Sequence, residues 1–198
     1  MRGVKASVVF AMAFLLVVVT AGSASAAPQQ MDNKGKVDQT GSAVVKYSGP
    51  QIQAVVGYLF ANDNLGSQWL LLDFAVTGNK GDSVEINRKN MFIETPKGEK
   101  VPLATQEQFG NAYGDLQSSI ARANIAGEPL DYWGGRRPCM LDFFSAGQHV
   151  VKLADWVNDR RVCYGRLYFD VPGSVQPGQY VLGINLKEGS VRIPFTLR

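Results

Sequence analysis

Two short segments carry the same arrangement. Arg136-Arg137-Pro138-Cys139 and Arg160-Arg161-Val162-Cys163 each set an arginine pair two and three residues ahead of one of the chain's 2 cysteines. A disulfide holds its two Cα atoms within about 7 Å, so a bond between Cys139 and Cys163 would draw both arginine pairs into one neighbourhood. Tyr132, Trp133, Trp156 and Tyr164 belong to the same two segments. Guanidinium forks beside exposed aromatic faces suit anionic or sugar-like ligands and protein hot spots. The binding reading takes Trp133, Arg136, Arg137, Trp156, Arg160 and Arg161 as its residues. On that reading, changing Trp133, Arg136 and Arg137 together leaves the melting temperature nearly unaltered. The plainer alternative has Asp131, Asp142, Asp155 and Asp159 neutralise the arginines as surface pairs worth under about 1 kcal/mol each, with Trp156 in the core.

Pairing Cys139 with Cys163 closes a loop of about 25 residues, which is worth roughly 3.5 kcal/mol in the chain-entropy account. The alternative is two reduced, buried thiols. A metal pair has less support, because the chain holds 1 histidine and no C-x-x-C spacing. That histidine, His149, alternates with Val151 and Leu153 on an inward-leaning face, which favours a structural role over a catalytic base. There is no G-x-S-x-G elbow, P-loop, H-E-x-x-H or G-x-G-x-x-G after a strand. The carboxylates are scattered. Asn62-Asp63-Asn64-x-Gly66 has a faint calcium-loop spacing but lacks the distal acidic ligand, so it reads as a turn. The sequence thus nominates no catalytic residue, no metal ligand and no cofactor.

The N-terminus addresses location. Arg2 and Lys5 precede an apolar run over 8–19, and Ala24-Ser25-Ala26 makes a small-residue cleavage signal before Ala27. This is the pattern of a secretory signal peptide over 1–26, cleaved near Ala26 and Ala27, and points to a secreted or periplasmic protein. The apolar run falls short of the roughly 20 residues a membrane span needs, and no second run follows. The expected mature chain therefore has no membrane span. The leader holds two of the 20 basic residues and none of the 17 acidic ones, leaving 18 against 17 in the remainder. So balanced a chain has no overall field to recruit nucleic acid.

Residues 27–42 are polar and predict a flexible segment. Strand patterns follow. Over 51–61, Ala54, Val56, Tyr58 and Phe60 alternate. In Trp69-LLLDFAV, Leu70, Leu72, Phe74 and Val76 share one face, opposite Asp73, Ala75 and Thr77. Met91 and Ile93 lead into a Pro96-Lys97-Gly98 turn, and 100–104 completes that hairpin. Further strands are expected over 148–153, 162–171, 180–186 and 191–197. In the last, Val191, Ile193, Phe195 and Leu197 face inward, and Pro194 marks an edge. Seven or eight alternating strands with frequent turns predict an all-β, antiparallel sandwich over 43–198. The stretch 105–146 interrupts it as a partly helical insertion. Thr105-x-x-Gln108 forms a capping box, and Asp115 caps a second short helix carrying Leu116, Ile120 and Ala123 to a stop near Gly127. Specific function concentrates in such insertions; a lid covering one end of the core is the alternative.

The run Trp69-LLLDFAVTG-Asn79, then Met91-FIETPKGEKVPL-Ala104, then Gly165-RLYFDV-Pro172 resembles bacterial secreted domains of the telokin-like, immunoprotective-extracellular type. The similarity covers roughly 50–198 and implies an immunoglobulin-like sandwich and export more than any activity. Two departures stand out: the long 105–146 insertion and the lack of a lipid-anchor cysteine. Together these features predict an exported, non-enzymatic module that binds a protein or an envelope polymer. The alternative is a carbohydrate- or polyanion-binding accessory domain that uses the arginine and aromatic residues.

Overall fold

The computed structural model describes residues 35–198, apart from positions 80, 82, 128, 129 and 148–150. The leader over 1–26, the cleavage position and His149 lie outside the described residues.

The first four strands among the described residues form an antiparallel meander: β1 (Lys36–Thr40), β2 (Val44–Ser48), β3 (Ile52–Gly57) and β4 (Trp69–Gly78). A one-turn helix, α1 (Leu59–Asn62), links the last two. Next come β5 (Val84–Asn87), β6 (Met91–Glu94) and β7 (Lys100–Pro102), and then the long helix α2 (Gln106–Ala126). The strands β8 (Arg137–Met140), β9 (Ala154–Val157), β10 (Arg161–Asp170), β11 (Gly178–Leu186) and β12 (Gly189–Leu197) complete the fold. They assemble as a six-stranded sheet ordered β1-β2-β3-β4-β10-β8, a four-stranded sheet ordered β12-β11-β6-β7, and the two-stranded pair β5-β9.

The two larger sheets share one core, as an all-β sandwich requires. Leu70, Leu72, Phe74 and Val76 of β4 are fully buried, and so are Ile93 of β6, Leu182 and Ile184 of β11 and Ile193 of β12. The period-2 reading of β4 and of Val191, Ile193, Phe195 and Leu197 holds. Pro194 sits in β12, an edge strand, where its missing N–H breaks no ladder.

The outward face of the six-stranded sheet is also covered, and this accounts for the unbroken apolar runs in the sequence. Phe109, Leu116 and Ala123 of α2 pack on Leu71 and Tyr168. Leu130 and Trp133 pack on Val44, Val55, Ala75 and Val162. The insertion is thus a third layer.

Several expectations are corrected. Residues 27–42 are not uniformly a flexible segment: Lys36–Thr40 pairs with β2, and Gln39 donates to the Tyr58 hydroxyl at 2.8 Å. A polar strand is stable at that edge because one side of it faces solvent. Within 51–61 the strand ends at Gly57, and α1 begins at Leu59. Residues 148–150 lie outside the described residues, and 151–153 belong to no strand; the strand is Ala154–Val157. The two helices over 105–127 are one. Thr105 and Gln108 make the capping box as expected, but the helix runs past Asp115 to Ala126. Phe109, Leu116 and Ala123 form a continuous stripe against the sheet, and that packing holds Asp115 inside the helix rather than at a cap.

The insertion is closed at its ends by buried contacts. Arg88, only 5% exposed, donates to the carbonyls of Ala104 (2.7 Å) and Phe143 (2.6 Å), one at each end of the excursion. Gln106 and the Ser145 backbone bond reciprocally at 2.7 and 3.1 Å. Burial lowers the Arg88 pKa, and the Phe144 ring lies 4.7 Å from its guanidinium.

Candidate functional site

The two cysteines are bonded, with Cα atoms 4.4 Å apart. They occupy the same level of neighbouring strands, because β8 runs parallel to β10 with Cys139 opposite Cys163 and Arg137 opposite Arg161. The repeated Arg-Arg-x-Cys spacing is therefore a parallel register. Cys163 is fully buried in the core, as its alternation with Leu167 and Phe169 predicts, and Cys139 packs against that core from the sheet edge. This parallel pair is the one departure from antiparallel pairing among the described strands.

Where β8 and β10 begin, Gly135, Arg136, Arg137, Asn158, Arg160 and Arg161 line a cleft of about 490 Å³. Gly135, at φ 81°, supplies the left-handed turn that delivers Arg136. The 157–160 turn lies directly on Gly78, where a Cβ would come within 2.6 Å of the Asn158 Cα. Beneath the cleft sits the fully buried Thr77 hydroxyl. It donates to the Arg161 carbonyl at 2.7 Å and accepts from Arg136 Nη1. Arg136 also donates to the Gly78 carbonyl at 3.3 Å.

The four arginines divide into two classes. Arg136 and Arg161 are anchored. Arg161 donates to the Trp156 carbonyl at 3.3 Å and lies 3.7 Å from Asp155. Arg137 and Arg160 are exposed, and among the described residues neither side chain has a hydrogen bond or an ion pair. Their backbones are joined, Arg137 N–H to the Arg160 carbonyl at 2.8 Å. Asp159 is the one carboxylate among the described residues of the cleft. Of the other candidate counter-charges, Asp155 is shared between Arg161 and Lys152, while Asp142 and Asp131 are engaged away from the cleft. Lys152 lies 3.4 Å from Asp142 and 3.0 Å from Asp155, and those carboxylates hold its ammonium above its ordinary value. Asp131 faces the Tyr164 hydroxyl at 3.5 Å, and burial followed by that carboxylate pushes the phenol up. Two exposed guanidinium forks, one on β8 and one in the turn that leads into β10, can take a carboxylate, sulfate or phosphate in bidentate fashion.

The tryptophans part company. Trp133 is 8% exposed, packs on Val55, Ala75 and Val162 of the sheet and donates from Nε1 to Gln53 at 2.7 Å. It belongs to the covering layer, so it is withdrawn from the binding residues, and changing it with Arg136 and Arg137 would disturb the fold. Trp156 is 54% exposed. It stands opposite Glu85 in the β5-β9 pair and lines a second cleft, of about 510 Å³, beside the β11-β12 turn. Sequence reasoning missed Thr77 and Asn158, which organise the first cleft, and the β11-β12 turn residues of the second. No local spacing links those positions to the cysteines.

Asp73 and Arg166 form a separate polar site on the outward face. They are register partners in β4 and β10, 2.8 Å apart. Arg166 also donates to the Ala123 carbonyl at 3.2 Å and to Asn124 at 2.8 Å, putting a cation at the C-terminus of α2. Burial outweighs the Arg166 charge and holds the Asp73 carboxyl above its ordinary value. Among the described residues no group of three or more His, Cys, Asp or Glu is placed to hold a metal ion, and no helix is long and apolar enough to cross a membrane. No protein-family model, curated protein or solved structure matches this chain, so the chemistry of its clefts stands on their geometry alone.

Proposed function

We propose that the chain is an exported, non-enzymatic binding module with an immunoglobulin-like sandwich, and that its arginine cleft takes an anionic polymer of the cell envelope or exterior. The observation that carries this reading is the pair of exposed guanidiniums that have no partner among the described residues, Arg137 on β8 and Arg160 in the turn that leads into β10, beside the disulfide that joins those strands. A surface that only needed solubility would gain nothing from concentrating four arginines at one strand end. Export is supported by the signal-like leader and by the disulfide, which persists in oxidising compartments. The immunoglobulin-like assignment is supported by two packed sheets with a common core.

Titration with polygalacturonate and with polyphosphate at low and at about 0.15 M salt tests the reading. Saturable binding that weakens with salt, and that the double change Arg137→Ala/Arg160→Ala removes, is the expected result. Absence of binding to either polymer at low salt overturns it.

A further inference from the structure

The arginine cleft does not end at the arginines. Asn158, one of its lining residues, places its amide 3.5 Å from the Ser83 hydroxyl, which lines the Trp156 cleft. Arg161 of the first cleft donates to the Trp156 carbonyl. The two clefts are therefore neighbours across the 156–158 backbone.

They differ in chemistry. The first is cationic. The second sets the exposed Trp156 face among Glu85, Glu188, Asn90, Asn185 and Lys187. Asn90 and Asn185 are exposed, with no side-chain partner among the described residues. An indole face offers a flat apolar platform, and amide and carboxylate groups supply donors and acceptors around it. Among the described residues of that lining, two carboxylates against one lysine disfavour a second anion, so a uniform string of phosphates matches the first cleft better. A hydroxylated ring matches the second, because hydroxyls donate to carboxylates and accept from amides. A volume of about 510 Å³ lies within the ordinary range of ligand sites.

We infer that the ligand is an acidic polysaccharide, with a carboxylate or sulfate of one residue on Arg137 and Arg160 and a neighbouring sugar ring on Trp156. This rests on the anionic-polymer reading above and narrows it to one ligand class. A phosphate polymer supplies the charge without that ring.

Three probes separate the terms: an oligogalacturonate, its fully methyl-esterified form, and a polyphosphate of matching charge. Each is titrated against the parent chain, Trp156→Ala, Asn185→Ala and Arg137→Ala/Arg160→Ala. Circular dichroism and melting temperature establish that each variant is folded. The expected result is tightest binding of the oligogalacturonate, a loss of about tenfold for it in Trp156→Ala and a smaller loss in Asn185→Ala, with polyphosphate affinity unchanged in both. The arginine variant should lose both anionic probes. Polyphosphate binding as tightly as oligogalacturonate, with Trp156→Ala and Asn185→Ala silent, overturns the sugar assignment and leaves the arginine reading standing. Methyl-esterified probe binding as tightly as the acid form also overturns it. If neither anion binds the parent chain, the anionic-polymer reading fails, and this inference fails with it.

Discussion

Arg137 and Arg161 stand side by side at one register level of a parallel strand pair, two residues ahead of the Cys139–Cys163 bond at the next matching level. β8 is a four-residue edge strand with most of its side chains in solvent. Its ladder and the disulfide are what hold Arg137 beside the anchored arginine.

Reduction should therefore act locally before it acts globally. Denatured, unreduced protein should show no free thiol on titration. Changing both cysteines to alanine should cost roughly 3.5 kcal/mol. Hydrogen exchange should then accelerate at 137–140 more than at the centre of β10. Equal acceleration in both strands would show that the disulfide does not govern the edge.

Trp133 and Trp156 should respond oppositely to truncation. Trp133→Ala empties a packed site and leaves Gln53 without its donor, so a loss of about 3–5 kcal/mol is expected in denaturant unfolding. Trp156→Ala should stay within about 0.5 kcal/mol, because its ring is half in solvent. A large loss in the second variant would mean that Trp156 is part of the core.

Arg88 joins both ends of the insertion through main-chain carbonyls. Replacing it with methionine keeps much of the stem and strands those acceptors away from water, at about 1–3 kcal/mol for each buried group left unsatisfied. Proteolysis should then cut preferentially within 105–146. Unchanged stability and cleavage would exclude the arginine as the closure of the insertion.

Asp73 sets a pH dependence of definite sign. Its carboxyl binds a proton more tightly folded than unfolded, so its contribution is fully present below the ordinary aspartate value. That contribution is lost as pH rises through the raised folded value. Asp73→Asn imitates the protonated form, and so should gain stability relative to the parent as pH increases across that window. Melting temperatures of both proteins measured across the acid range decide it. A relative loss with rising pH would mean that the Arg166 pair outweighs burial.

Much of the framework was legible because strand alternation is local. Leu70 to Val76 and Val191 to Leu197 declare their inward faces by period alone. The capping box at Thr105 is equally local, as three residues suffice to form it. The sequence left the two cysteines either bonded or reduced; once they are bonded, the gathering of the arginines follows from spacing, because a covalent bond sets an upper limit on distance. The fate of Asp115 was not legible: a residue that can cap a helix can also sit inside one, and packing of Phe109, Leu116 and Ala123 on Leu71 decided between them. Trp133 and Trp156 look alike in sequence, each beside charges and a cysteine segment. Only the third layer, closing over Val55 and Ala75, buried one and left the other in solvent. Parallel pairing of β8 with β10, the Thr77 anchor beneath Arg136 and the meeting of Trp156 with the β11-β12 turn all join distant parts of the chain. Such contacts are selected by the shape and burial of the whole, and no local period encodes them.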